Sequence, residues 1–381
     1  MLQKIVCNCL LAIILSAFVS NIYAQAIWMT DNAVILGKKQ LNEIALPGAH
    51  DAGTFAIETS ENTGIKIGGD DGASSPDNKQ IKRLLSFGPM FSDWAKTQER
   101  TTAEMLNDGI RYFDLRVCVD NKRVLMTCHG LYGASLASIL DDVKTFTDKN
   151  PRELVLLGFN HFWDRQYQIE RGKKPGETEG LTDANWTKLT DLIKTKLDGK
   201  LVNSKNFSPK SKFSELQQLK KGSQIIALFD SKDAPDDDLF WKQAEENTWV
   251  EGWEIDNFKS GTLKILQNAQ NKLYADKFYA IRSSVTPDDG GKLIGMGFLS
   301  DVYPTSASEL ADMTNPIALG WIKTEWAGKY PINLIWADFY NRTDLVKLAK
   351  HLNGIKVDFK NTKIGSATNW TRWKKSKDSK N

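Results

Sequence analysis

The stretch LPGAHDAGTF, residues 46 to 55, sets His50 and Asp51 in a glycine-flanked turn directly after an apolar run, in a chain with only four histidines. Glycine serves where a backbone turns sharply or lets another group approach closely, so Gly48 and Gly53 imply that His50 is presented to something. A plain surface turn is the alternative. In GIRYFDLRVC, residues 109 to 118, the alternation of a strand puts Asp114 and Arg116 on one face, opposite Phe113 and Leu115. An acid and an arginine on an inward face form either an ion pair that orders the core or a guanidinium fork held by Asp114 and aimed at an anion such as phosphate. In TCHGLYG, residues 127 to 133, His129 again ends an apolar run and meets a glycine. Two imidazoles and a guanidinium, each at a strand, suit proton transfer beside a bound anion.

The elements that must position these residues alternate. Apolar strand-like runs fall at 43–46, 112–119, 124–128, 153–159, 224–229, 277–281 and 332–337, and helical patterns at 101–108, 136–149, 183–197, 259–271, 308–326 and 343–352. Such alternation predicts a parallel α/β domain, as a closed barrel or an open doubly wound sheet. In a barrel the strand ends carrying His50 and His129 would face the pocket. The 381 residues are 41% hydrophobic and 25% charged, ample for a core. A net charge of +3, with no nucleic-acid motif, gives no support to DNA or RNA binding. MLQKIVCNCLLAIILSAFVSNIYAQA reads as a secretory signal peptide over residues 1–26, cut after Ala24 or Ala26, so the protein is expected to be secreted or periplasmic. Removal takes Cys7 and Cys9 and leaves Cys118 and Cys128, between which a disulfide is open; simple hairpin counting does not set them opposite each other, so a bridge requires a bulge or a longer loop. The polar, glycine-rich stretch 61–78 reads as an excursion on a single domain spanning 27–364, and 365–381 as a basic, mobile tail.

The motifs LPGAHDAGTF, DGIRYFDLRV and TCHGLYGASLASILDDVKTFTDKNPRELVLLGF, in this order and spacing, resemble the X-domain phospholipases C, in particular the secreted bacterial phosphatidylinositol-specific phospholipase C. The likeness is dense from about Leu46 to Phe159 and thin afterward. It implies a distorted, incompletely closed TIM-type barrel, with its pocket at the C-terminal strand ends. It also implies cleavage of an inositol phospholipid, or of a glycosylated inositol anchor, to diacylglycerol and 1,2-cyclic inositol phosphate. By motif His50 resembles the general base, His129 the general acid, Arg116 the phosphate ligand and Asp51 the acid that supports the leaving-group side. Asp338, in LIWADFYNR, resembles the carboxylate that orients the first histidine; its alternative is an acid favouring the helix that follows. The inositol contacts of the family come from middle strands, where Asn160, His161, Asp230 and Asp256 occupy candidate strand ends beside Asp114. Bacterial relatives offer a lysine after the fourth strand where this chain has NHFWD, and His161 has a structural alternative.

Calcium-dependent relatives carry a carboxylate where this chain has Arg116, so the resemblance is to the metal-independent branch and no cofactor is expected. The expected partner is a phospholipid surface, touched peripherally by a monomer. The apolar run 81–94, with Trp94, and the basic NWTRWKKSK near the C-terminus are candidate contacts, packing and a solvated tail being their alternatives. Two other readings stay open: a metal-dependent glycerophosphodiester phosphodiesterase-like enzyme, and a noncatalytic lipid- or glycan-binding relative.

Overall fold

The computed structural model describes residues 25–57, 88–174, 177–219, 222, 224–246, 248–250, 255–285, 304–360 and 364. The leader up to residue 24, the stretch 61–78, the run 81–87 and the tail from 365 lie outside them.

Ten strands form one curled sheet: β1 (Leu46–Ala49), β2 (Tyr112–Val119), β3 (Leu125–His129), β4 (Leu131–Ser135), β5 (Val155–Trp163), β6 (Ile225–Phe229), β7 (Phe240–Lys242), β8 (Glu245–Glu246), β9 (Phe278–Arg282) and β10 (Leu334–Ala337). The ladder runs β7-β6-β5-β2-β1-β10-β9-β8, parallel throughout, while β3 and β4 extend β2 as an antiparallel hairpin. Its two ends belong to one stretch of chain. Within 240–246, β7 pairs with β6 and β8 with β9, and Gln243 between them takes a left-handed backbone, φ 54°. The segments β7 and β8 are only three and two residues long, so the sheet curls into an open, incomplete barrel, as the resemblance implied.

The first strand is displaced from its expected place: 41–43 coil into a 3-10 turn and pairing begins at Leu46, in register with Leu334 of β10. The tertiary partner, not the local apolar run, sets where this strand starts. Helix boundaries were more legible, because caps are local. Thr101 and Glu104 form a capping box for the helix Thr102–Asp108, which ends on left-handed Gly109. Ser135, Thr182 and Ser306 accept from the backbone at the heads of Leu136–Lys149, Asp183–Lys196 and Ala307–Trp321.

Two apolar layers follow from strand alternation. Phe113, Leu115 and Leu157 face the surrounding helices, meeting Leu136, Ile139 and Val143. Tyr112, Leu156, Ile226, Leu228 and Leu334 turn into the barrel, whose base is stopped by Trp28, Met29 and Leu36 of the N-terminal helical turns. An ion pair with no exposed surface ties that stopper down: Arg111 donates to Glu153 Oε2 at 3.0 and 2.6 Å, while Glu153 Oε1 accepts from Thr30 N and Oγ1 at 2.7 Å each. The Ala26 carbonyl accepts from Arg111, and Gln25 donates to the Asp108 carbonyl at 2.6 Å.

Cys118 and Cys128 are bridged, with Cα atoms 6.0 Å apart. Cys118 stands opposite Met126 rather than Cys128, so the bridge crosses the ladder diagonally after a turn through left-handed Arg123.

Candidate active site

His50 follows the last residue of β1 and is 6% exposed. The sharp turn beyond it is made by Asp51, at φ 43°, and not by the flanking glycines. They act by close approach. A Cβ on Gly48 would lie 2.8 Å from the Tyr112 ring, and one on Gly53 would fall 2.0 Å from Thr127 Oγ1, against the hairpin. Asp338, just beyond β10, reaches back so that Oδ1 stands 2.6 Å from His50 Nδ1. Its backbone is fixed by Ser284, which accepts from the Asp338 amide at 3.1 Å, and by Asn315, which donates to its carbonyl at 2.8 Å. The tautomer this favours leaves Nε2 to face the site.

Asp51 is the hub of what Nε2 faces. Its Oδ2 lies 3.3 Å from His50 Nε2 and 3.7 Å from His129 Nδ1, and its Oδ1 lies 2.7 Å from Arg116 Nε. Asp114 accepts from the Asp51 amide at 3.1 Å and from Asn160 Nδ2, which fixes both the turn and the neighbouring strand. His129 closes β3, a quarter exposed, with Nδ1 2.9 Å from the Ala95 carbonyl and its ring centroid 6.4 Å from that of His50. Burial pushes the His50 imidazolium toward a lower pKa, but the carboxylates of Asp51, Asp338 and Asp114 outweigh it and hold the pKa above the ordinary 6.5.

His50, Asp114 and Arg116 line a small cavity, open at its mouth, together with Asn160, His161 and Asp230 among others. His161 enters by a bulge. Arg116 pairs with Asn160 and Val117 with Phe162, so His161 is the extra residue, left-handed at φ 46°, and its Nδ1 meets Glu179 at 2.8 Å on the rim. Asp256 does not belong to the site. It sits exposed in the first turn of the helix Ile255–Gln270, because the apolar run in WEIDNF feeds a helix and not a strand. Trp94, offered as an interfacial residue, packs half-buried against Ala307, Ala311 and Phe339.

Sequence reasoning missed Tyr112, Glu245, Trp249 and Trp336, which also line the cavity. Trp336 presents an edge to His50 at 4.6 Å between centroids, and Trp249 lies 5.9 Å away with the Arg282 guanidinium over its ring. Tyr112 and Trp336 were visible as inward positions on strands; Glu245 and Trp249 follow a stretch with no strand periodicity to mark it.

His50, Asp51 and Asp114 offer ligand atoms within 4.8 Å of one another, and they are the metal-like cluster among the described residues. They fit calcium poorly. That ion takes about six to eight oxygens, whereas the cluster has two carboxylates and an imidazole beside a guanidinium already 2.7 Å from Asp51 Oδ1.

No protein-family model matches the chain. Curated relatives do. It is 23% identical to the PI-PLC X domain-containing protein 2 of Mus musculus over 340 residues, covering 87% of this chain and 88% of the relative. It is 32% identical to the PI-PLC X domain-containing protein 2 of Homo sapiens over 151 residues, 38% of this chain and 46% of the relative. The fold is that of bacterial phosphatidylinositol-specific phospholipase C. A structure of the Staphylococcus aureus protein superposes with a TM-score of 0.57 at 16% identity, covering 87% of this chain and 98% of that one. The Listeria monocytogenes protein gives a TM-score of 0.50 at 15% identity, covering 84% and 96%.

Proposed function

We propose that the chain is a metal-independent phosphatidylinositol-specific phospholipase C. The observation that carries this reading is the arrangement around Asp51: two imidazoles and a guanidinium gathered on one buried carboxylate at the open end of a barrel, with Asp338 on the outer nitrogen of His50. His50 Nε2 takes the proton of the inositol 2-hydroxyl, whose oxygen forms the new bond to phosphorus. The bond from phosphorus to the glycerol oxygen breaks, and His129 supplies that oxygen with a proton. Arg116 holds the phosphoryl oxygens, and Asp51 couples it to His129. The neighbouring hydroxyl is already close to phosphorus, so the attack has the entropic advantage of a preassembled nucleophile. Products are diacylglycerol and 1,2-cyclic inositol phosphate.

We further place this activity outside the cytoplasm, in a monomer that touches lipid peripherally. Among the described residues no helix is long and apolar enough to cross a membrane. Of the two cuts, we favour the one after Ala24, which keeps Gln25 and Ala26, bonded to Asp108 and Arg111, in one domain running to residue 364. Phosphorus NMR of products from a panel of phospholipids tests the reaction. A cyclic phosphodiester from phosphatidylinositol alone is expected; a first product that is acyclic and labelled by heavy-oxygen water would show that His50 activates water instead.

A further inference from the structure

The inward side chains of β2 descend from the mouth in the order Arg116, Asp114, Tyr112, two residues apart. At about 3.3 Å per residue, Tyr112 lies roughly 13 Å along the strand from Arg116. Tyr112 is 1% exposed, and its ring fits because both neighbouring strands carry glycine beside it. A Cβ on Gly48 of β1 would come within 2.8 Å of its Cδ1, and one on Gly158 of β5 within 2.6 Å of its hydroxyl. Held in that slot, the hydroxyl crosses the barrel and donates to both oxygens of Glu245, at 3.0 and 3.1 Å. The mechanism above uses neither residue.

We infer that Tyr112 and Glu245 form the floor of the cavity and read the far edge of a ring polyol, requiring a free hydroxyl there. This rests on the proposed function, with a phosphodiester at Arg116 placing the ring below it. Burial first, and then the carboxylates of Asp114 and Asp230, push the Glu245 carboxyl up to about 8, against the opposing effect of the Tyr112 hydrogen bond. At neutral pH it is therefore a neutral acid, able to accept from Tyr112 and to donate to a ligand hydroxyl with the same group. A hydroxyl both donates and accepts, so it matches such a floor. A ring carbon without one leaves the acid's proton without a partner, and a site built to bond a hydroxyl discriminates strongly against its absence.

The test measures kcat and KM on monomeric short-chain phosphatidylinositol and on its ring-deoxy analogues, for wild type, Glu245→Gln, Glu245→Ala and Tyr112→Phe. Glu245→Ala is expected to lower kcat/KM about a hundredfold on the full ring, mainly through KM, and less than threefold on one far-edge deoxy analogue. Glu245→Gln, which keeps a donor and an acceptor, should recover to within about tenfold of wild type. Equal losses on every analogue, or none on any, overturn the floor. Calorimetric titration with free myo-inositol separates the two readings. Binding that depends on Glu245 in a protein that cleaves nothing leaves the floor standing and removes the lyase, whereas cleavage indifferent to Glu245 does the reverse. Matching thermal melts of the Gln variant and wild type exclude misfolding as the cause.

Discussion

Arg111, just before β2, and Arg116, within it, each stand against a buried carboxylate, yet they do different work. At the base, Arg111 and Glu153 have no exposed surface, and their remaining atoms bond to Ala26 and Thr30 of the N-terminal turns and to the carbonyls of Leu106 and Ile110. That pair is a staple. At the mouth, Arg116 keeps 13% of its side chain exposed and shares Asp51 with two histidines beside an open cavity. The difference teaches that burial of a charge says little about its purpose. What matters is whether the surrounding donors and acceptors close on one another or leave a face toward a space that a ligand can enter.

The comparison breaks most sharply if the mouth proves structural. His50→Ala and His129→Ala are each expected to lower turnover by at least about a hundredfold without unfolding the protein, measured as initial rates beside circular-dichroism melts. Retention of near wild-type turnover removes that histidine from the mechanism. The base should behave in the opposite way. Arg111→Ala strands a buried Glu153 and is expected to cost about 3–5 kcal/mol of stability in denaturant unfolding. Any fraction that stays folded should keep ordinary turnover. Arg116→Lys keeps the charge but loses the planar fork, so activity should fall at least about tenfold while the unfolding midpoint stays put.

A pH profile sharpens the contrast further. A general base works when neutral, so the acid limb of kcat/KM should lie above pH 6.5, and Asp338→Asn, by removing a carboxylate that raises the His50 pKa, should move it to lower pH. The stability linked to His50 runs the other way: it is complete below pH 6.5 and declines as pH rises through the raised folded-state value. The smallest expected effect is that of chelator. Excess EDTA should leave turnover unchanged, and a loss restored by calcium would return the cluster of His50, Asp51 and Asp114 to a metal.

Much of the site was legible because its parts are local. The sequence by itself determined that His50, Asp114, Arg116 and His129 sit at strands, that Asp114 and Arg116 share the inward face of β2, and where the capped helices begin. Alternation with period 2 and side chains that bond to backbone a few residues away are written in contiguous residues. Only the tertiary structure decided the rest. Residue 46 rather than 43 begins β1 because its partner is β10, far along the chain. His161 turns into the rim through a bulge that exists only in the pairing of β2 with β5. Asp51 becomes the hub of two imidazoles and a guanidinium, and Tyr112 meets Glu245 across the barrel, because curling the sheet brings distant strands around one cavity. Register and curvature are summed over the whole sheet, so no short window of sequence carries them.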